Sequence, residues 1–250
     1  MQRPPGIWTL AFSADSRSLI AGCNGDWLRV WELATGGLRY EVRESVALLA
    51  VASAGTLLAT TGGYAETRHV SIWDSRTCVP PRRTSVPADF SKIWSALDTN
   101  DAALAYDRMR ELVFTPKEAV AALDKRLLTV DPVKASAIER LVQELDDDRY
   151  ETRDRAQRRL GELGETARAA LSGALARGPS PEAGRRIKEL LDALDAPPAG
   201  DRLRIIRAVE VLETIGSPEA CRVLKRLADG DPGALLTREA KAALDRLDAD

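Results

Sequence analysis

Up to about residue 80 the apolar positions fall in short runs: Ile7 to Phe12, Leu19 to Cys23, Trp27 to Trp31, Val46 to Ala52, Thr56 to Thr60 and Val70 to Trp73. Their length, their β-branched and aromatic content and the turn chemistry between them, such as Asn24-Gly25-Asp26 and Thr35-Gly36-Gly37, predict strands. From residue 88 onward the period becomes helical. It is clearest where Ile205, Ala208, Val209, Leu212 and Ile215 recur at i, i+3, i+4, i+7 and i+10, a stripe that must be buried against a neighbour. Between the two patterns, Pro80, Pro81 and Pro87 bound a segment that sustains neither a ladder nor a helix, because proline removes a backbone donor and fixes φ. The expected organisation is therefore a strand region over 1–79, a linker over 80–87 and a helical region over 88–250.

Helix starts are marked repeatedly. Thr115-Pro116-Lys117-Glu118 has the form of a capping box with proline at the first helical position. Asp131-Pro132, Ser180-Pro181 and Ser217-Pro218 each place a capping oxygen directly before such a proline.

Both halves repeat. Leu19-Ile20-Ala21-Gly22 is echoed by Leu57-Leu58-Ala59-Thr60, and Val30-Trp31-Glu32 by Ile72-Trp73-Asp74, with the extra residues of the second copy falling around Tyr64 to Thr67. In the second half, Ala156, Leu160, Leu163-Gly164 and Leu175 correspond to Ala208, Leu212, Ile215-Gly216 and Leu227 at a constant offset of 52. An offset of that size implies a repeated helical unit whose small Ala and Gly positions let helices pack closely.

On these residues the strand half resembles WD40 repeats. Phe12-Ser13-Ala14-Asp15-Ser16 is similar to the family's turn between the first two strands, Trp73-Asp74 is its signature dipeptide, and the first copy carries Trp31-Glu32 in its place. Neither copy has the family's Gly-His pair. Arg153 to Ala156, leading to Leu160 and Leu163-Gly164, and Arg207-Ala208, leading to Leu212 and Ile215-Gly216, resemble the openings of HEAT-like helices. The combination, with its helical stretches from Ala208 to Ala220 and from Leu236 to Leu244, resembles the WD40-repeat proteins abundant in planctomycete bacteria. The resemblance implies a mixed fold of two parts: an all-β partial propeller of two WD40-like blades, followed by an all-α HEAT-like solenoid. It implies no chemistry for particular residues. Two blades fall short of the four to eight that close a propeller. The strand region is accordingly expected either to end a longer propeller protein or to complete a ring with other chains through open blade faces.

Charge and composition remove several function classes. Thirty-six basic residues against thirty-eight acidic ones leave a net charge of -2, so no global field favours nucleic acid, membrane or an acidic substrate. The longest apolar-and-small run, Val46 to Gly55, is too short to span a bilayer, and the N-terminus lacks the apolar core of a secretory signal, which gives a cytoplasmic expectation. Cys23, Cys78 and Cys221 are odd in number and far apart, against both a disulfide framework and a zinc site.

Candidate chemistry is sparse. His69 is the sole histidine, so a catalytic triad would require that one ring to meet a distant serine and acid. Gly22, Gly25, Gly36, Gly37, Gly62 and Gly63 form no phosphate-binding motif and read as turns between strands. Trp31 and Trp73 read as packing between blades, whereas Trp27 is a candidate exposed contact. Arg149, Arg153, Arg155, Arg158 and Arg159 could track a phosphate backbone, yet they are interleaved with Glu151 and Asp154 and follow Asp146-Asp147-Asp148. That interleaving reads first as a solvated, ion-paired helix face.

The sequence thus predicts a non-catalytic protein-protein interaction scaffold that is no enzyme and needs no cofactor or metal. Its candidate interaction residues are Trp27, Arg149, Arg153, Arg155, Arg158 and Arg159, and its expected partners are proteins, with no membrane role. The rival reading is a nucleic-acid-binding HEAT-like protein that uses the cluster from Arg149 to Arg159.

Overall fold

The computed structural model describes residues 6–24, 26–52, 57–62, 69–74 and 89–248. Two antiparallel sheets come first. The first contains β1 (Ile7–Phe12), β2 (Ser18–Cys23), β3 (Trp27–Glu32) and β4 (Leu38–Arg43) in that spatial order, and the second contains β5 (Leu48–Val51), β6 (Leu57–Gly62) and β7 (His69–Asp74). The expected turn between the first two strands is built as its residues suggest: Asp15 accepts from the Arg17 amide at 3.0 Å, and the Ser13 hydroxyl accepts from the Ser18 amide at 2.9 Å. β4 has no counterpart among the predicted strands. It alternates Leu38, Tyr40 and Val42 with Arg39, Glu41 and Arg43 directly after Gly36-Gly37, and it closes the outer edge of the first sheet by pairing with β3.

The sheets stack, with β5 lying against β1 and β2. Successive residues on a strand face opposite ways, and Ile20, Leu28 and Val30 on one side of the first sheet meet Leu58, Leu49, Val51 and Trp73 of the second, with Val46 between them. Leu58 stands opposite Trp73, as Leu19 stands opposite Trp31. The structural repeat therefore aligns Leu19 with Leu58, one residue away from the match suggested by the sequence. Burial sets this register, since a slip of one residue would turn Leu58 and Trp73 outward. Two glycines admit the chain as it crosses between sheets. A Cβ on Gly62 would sit 1.7 Å from the Ser45 carbonyl oxygen, and one on Gly22 would sit 2.7 Å from the Val46 side chain.

The helical part contains, among the described residues, α1 (Phe90–Ala96), α2 (Ala102–Val113), α3 (Pro116–Arg126), α4 (Ala135–Glu144), α5 (Tyr150–Leu163), α6 (Glu165–Ala176), α7 (Pro181–Asp195), α8 (Asp201–Ile215), α9 (Pro218–Ala228) and α10 (Leu235–Asp248). The expected linker, 80–87, lies outside the described residues, as does Cys78. Ser180 and Ser217 cap their helices by accepting from the Ala183 and Ala220 amides, each at 3.2 Å. The other two expected starts differ. Thr115 precedes α3, but its hydroxyl turns back to the Glu111 carbonyl of the preceding helix instead of capping. Asp131-Pro132 lies outside any helix or strand and α4 begins only at Ala135, so the proline stiffens a connection there.

The offset of 52 is a three-helix unit used twice, as α5-α6-α7 and α8-α9-α10. Ala156 and Leu160 of α5 match Ala208 and Leu212 of α8, all buried. Beyond the Gly164 and Gly216 turns the match moves one residue further. Ala167, Leu171 and Ala174 then correspond to Ala220, Leu224 and Leu227, and Ala183, Ile187 and Leu190 to Leu236, Ala240 and Ala243. Ser217-Pro218 provides the extra residue at that turn.

The apolar stripes form two cores. One is built on α1, α2, α3, α8, α9 and α10, and the other on α4 to α7. Asp231, between α9 and α10, ties them together. Its carboxylate accepts from the Val133 and Gly233 amides at 3.0 and 2.8 Å and from the Thr166 hydroxyl at 3.1 Å. Burial works to raise this carboxyl, but the converging donors outweigh it and hold the pKa below the ordinary value.

Candidate interaction surfaces

The sheets meet the helices along a charged seam that sequence reasoning did not anticipate. Glu32 ends β3 and Arg39 lies on β4, while α8 presents Arg207 and Glu210; all four are buried, and Arg207 is 0% exposed. Arg207 grips Glu32 with both arms, at 2.9 and 2.6 Å, and donates to the Leu97 and Thr99 carbonyls. Arg39 grips Glu210 at 2.6 and 2.9 Å and also reaches Glu32 at 3.2 Å. Next to them, Arg17 bonds Glu213 at 2.6 Å and Glu239 at 3.2 Å, and Arg246 closes on Glu213 at 2.6 Å. Tyr40 of β4 stacks on Tyr106 of α2 with ring centroids 5.0 Å apart.

Burial alone would push the Glu32 carboxyl up. Hydrogen bonds from Arg207 and Thr35, with the charges of Arg39 and Arg207, overcome it and leave Glu32 below the ordinary carboxylate range. Burial likewise opposes the charge on Arg39, yet Glu210 and Glu32 raise its pKa and keep it ionised. The seam therefore stays charged and bonded. It fixes the orientation of the first sheet on the helices, since bidentate pairs tolerate little rotation.

The seam and α2 hold the first sheet at β4 and at the end that carries Arg17 and Glu32, and leave one broad face open. That face carries Leu10 and Phe12 of β1 and Leu19, Trp27 and Trp31 of β2 and β3; Phe12 is 58% exposed, and Trp8 at the strand's start is 69% exposed. Trp73 packs between the sheets and donates to Thr60 at 3.0 Å. Trp31, expected to do the same, falls on the opposite, open side, because it pairs with Leu19 and Leu38 whereas its neighbour Val30 points inward. Trp27 shares this open face and is partly exposed. The second sheet is open on its far side as well. Leu48, Leu57, Val70 and Ile72 project there, and Ile72 is 71% exposed.

The arginine cluster is largely occupied. Arg155 lies 3.6 Å from Glu144, Arg158 is 3.0 Å from Asp154, and Arg159 is 2.7 Å from Glu162. Arg153 folds back onto the Asp147 and Asp148 carbonyls and over the Tyr150 ring, while Arg149 stands exposed before α5. Three of the five cations thus have carboxylate neighbours that a phosphate would have to displace. At His69, the ring nitrogen lies 3.2 Å from Glu44, and Ser71 donates to that same carboxylate at 2.8 Å. The serine proton points at the carboxylate and not at the imidazole, so the trio lacks a nucleophile-base pair. Among the described residues no cluster of three His, Cys, Asp or Glu side chains could hold a metal ion. None of the described helices is long and apolar enough to cross a membrane.

No protein-family model matches the chain, and no curated protein matches it. Among solved structures it is similar to one described as "Structure of U3-55K", with 16% identity and a TM-score of 0.27, over 31% of this chain and 26% of that one. The likeness spans about a quarter of that protein's length.

Proposed function

We propose that the chain is a non-catalytic protein-protein interaction scaffold, in which two WD40-like blades of a partial propeller are mounted on a HEAT-like helical base. The observation that carries this reading is the pair of open apolar sheet faces. Contiguous apolar surface on a folded protein marks a site of association, and here aromatic side chains of the kind enriched at interfaces, Phe12, Trp27 and Trp31, stand on one of those faces. The stacking of the two sheets through Ile20, Val30, Leu58 and Trp73 supports the blade reading. The twice-used helical unit supports the solenoid reading. In this reading the buried seam is the rigid mount that holds the blades at a fixed angle.

A photo-crosslinking residue placed at Ile72 or Phe12 of the full chain in its native cells tests this. Covalent capture of protein at both positions, and not at Arg158, is the expected result. Capture at Arg158 alone, or of nucleic acid in place of protein, would overturn it.

A further inference from the structure

We propose that the occupant of the open faces is a second copy of this chain, docked head to tail so that the Ile72 face of one copy covers the Phe12 face of the next. The proposal rests on reading those faces as interaction surfaces, and it names their partner.

The molecule already contains the template for this contact. Within one chain, the Ile20-Val30 side of the first sheet packs on the Leu58-Trp73 side of the second. The paired registers make β2-β3 equivalent to β6-β7: Leu19-Trp31 corresponds to Leu58-Trp73, and Ile20-Val30 to Ala59-Ile72. The open Leu19-Trp31 side of the first sheet is thus the counterpart of a surface that is covered in the second. The open Ala59-Ile72 side of the second sheet is the counterpart of the surface that does the covering. Each chain carries both halves of one interface, unpaired at opposite ends. A contact between two different patches on identical chains is heterologous, and it closes into a ring when the rotation from copy to copy completes a turn, as the rotation between blades of a propeller does.

The chemistry of the faces agrees. On the second sheet, Leu48, Leu57, Val70 and Ile72 present exposed apolar side chains. On the first sheet, Arg29 is paired with Glu41 at 3.0 Å, so that charge enters the contact together with its partner. The helices hold the first sheet at β4 and at the end that carries Arg17 and Glu32, and they leave Phe12 58% exposed. Each contact would bury on the order of 400 Å² of apolar surface per partner, about half of a standard interface, and ring closure gives every copy two such contacts. Since about four to eight sheets close a propeller and each copy contributes two, the ring would hold two to four copies.

Light scattering on the full 27.2 kDa chain should give one discrete species of two to four copies. Phe12→Lys and Ile72→Lys each alter an exposed position, so both variants should keep the parent's circular dichroism and melting temperature while running as monomers. Mixed together at high concentration they should form a one-to-one dimer and nothing larger, because only the intact first-sheet face of the Ile72→Lys copy and the intact second-sheet face of the Phe12→Lys copy can meet. A monomeric parent, open-ended aggregates insensitive to either substitution, or loss of association with only one of them would overturn head-to-tail docking. So would a mixture that stays monomeric. If the parent is monomeric yet its Ile72 crosslinker captures a different protein, the second-copy proposal fails and the scaffold reading stands. If it captures nothing, both fail.

Discussion

In the helical part, an apolar stripe on one helix meets an apolar stripe on the next, and the α8 stripe, Ala208, Val209 and Leu212, has no side left open. In the strand part, each sheet has two apolar faces and only one sheet for a neighbour. Ten of the fifteen large apolar side chains exposed among the described residues lie before residue 75, although that region supplies the minority of those residues. The contrast shows where the chain's association surface lies: the helices use up their apolar area internally, whereas the sheets retain theirs at both ends of the stack.

The harshest way to break the comparison is to open the closed side. Leu212→Asp puts a carboxylate into a fully buried position and should cost about 4 kcal/mol or more, read as a collapse of the helical melting transition. A loss no larger than that of an exposed substitution would show that the helical core is not closed.

The seam is the next test. Arg207→Ala leaves Glu32 buried without its main partner, a change worth about 3–5 kcal/mol, and should split thermal unfolding into separate sheet and helix transitions. Replacing both partners with apolar residues, as Glu32→Leu with Arg207→Met, should recover much of that loss. If the single variant still melts in one step at the parent temperature, the seam does not couple the two regions.

A smaller effect is expected from acid. Glu32 and Asp231 both have lowered pKa values in the folded chain. Their contribution is therefore complete above their ordinary values of 4.5 and 3.8 and is lost as the pH falls through the lowered folded values. The melting temperature should be flat between neutral pH and about pH 5 and fall below about pH 4. Glu32→Gln should flatten part of that acid limb, and an unchanged limb would separate Glu32 from the acid response.

The smallest effect belongs to the arginine cluster. Arg158→Ala removes one exposed ion pair and should change stability by about 0.5 kcal/mol or less, with no change in salt-dependent retention on DNA or RNA. A marked loss of retention would transfer the association surface from the sheets to α5.

The strands and the helical stripes were legible because a core-facing period survives in one sequence. β4 was not, since its run from Leu38 to Arg43 follows two glycines and half of its residues are charged. Thr115 was misread because a threonine before a proline can bond either forward to an amide or back to a carbonyl. The seam had almost no signal. Arg207 and Glu210 lie on the side of α8 away from its apolar stripe, where charges ordinarily meet water, and their partners are more than a hundred residues away. One clue was present in Trp31-Glu32, where the second copy of the repeat has Trp73-Asp74. Of the candidate surface residues, Trp27 joins an open face, whereas the arginines sit on the helical hairpins remote from it.

The clasp between Glu32 and Arg207 also decides how the molecule would carry mechanical load. It joins chain positions that have the second sheet and, among the described residues, seven complete helices between them. Tension applied between the first sheet and α10 would run straight across Glu32-Arg207 and Arg17-Glu213 and would bypass the intervening chain. The second sheet would hang slack beside that path, shielded from force until the clasp gives way.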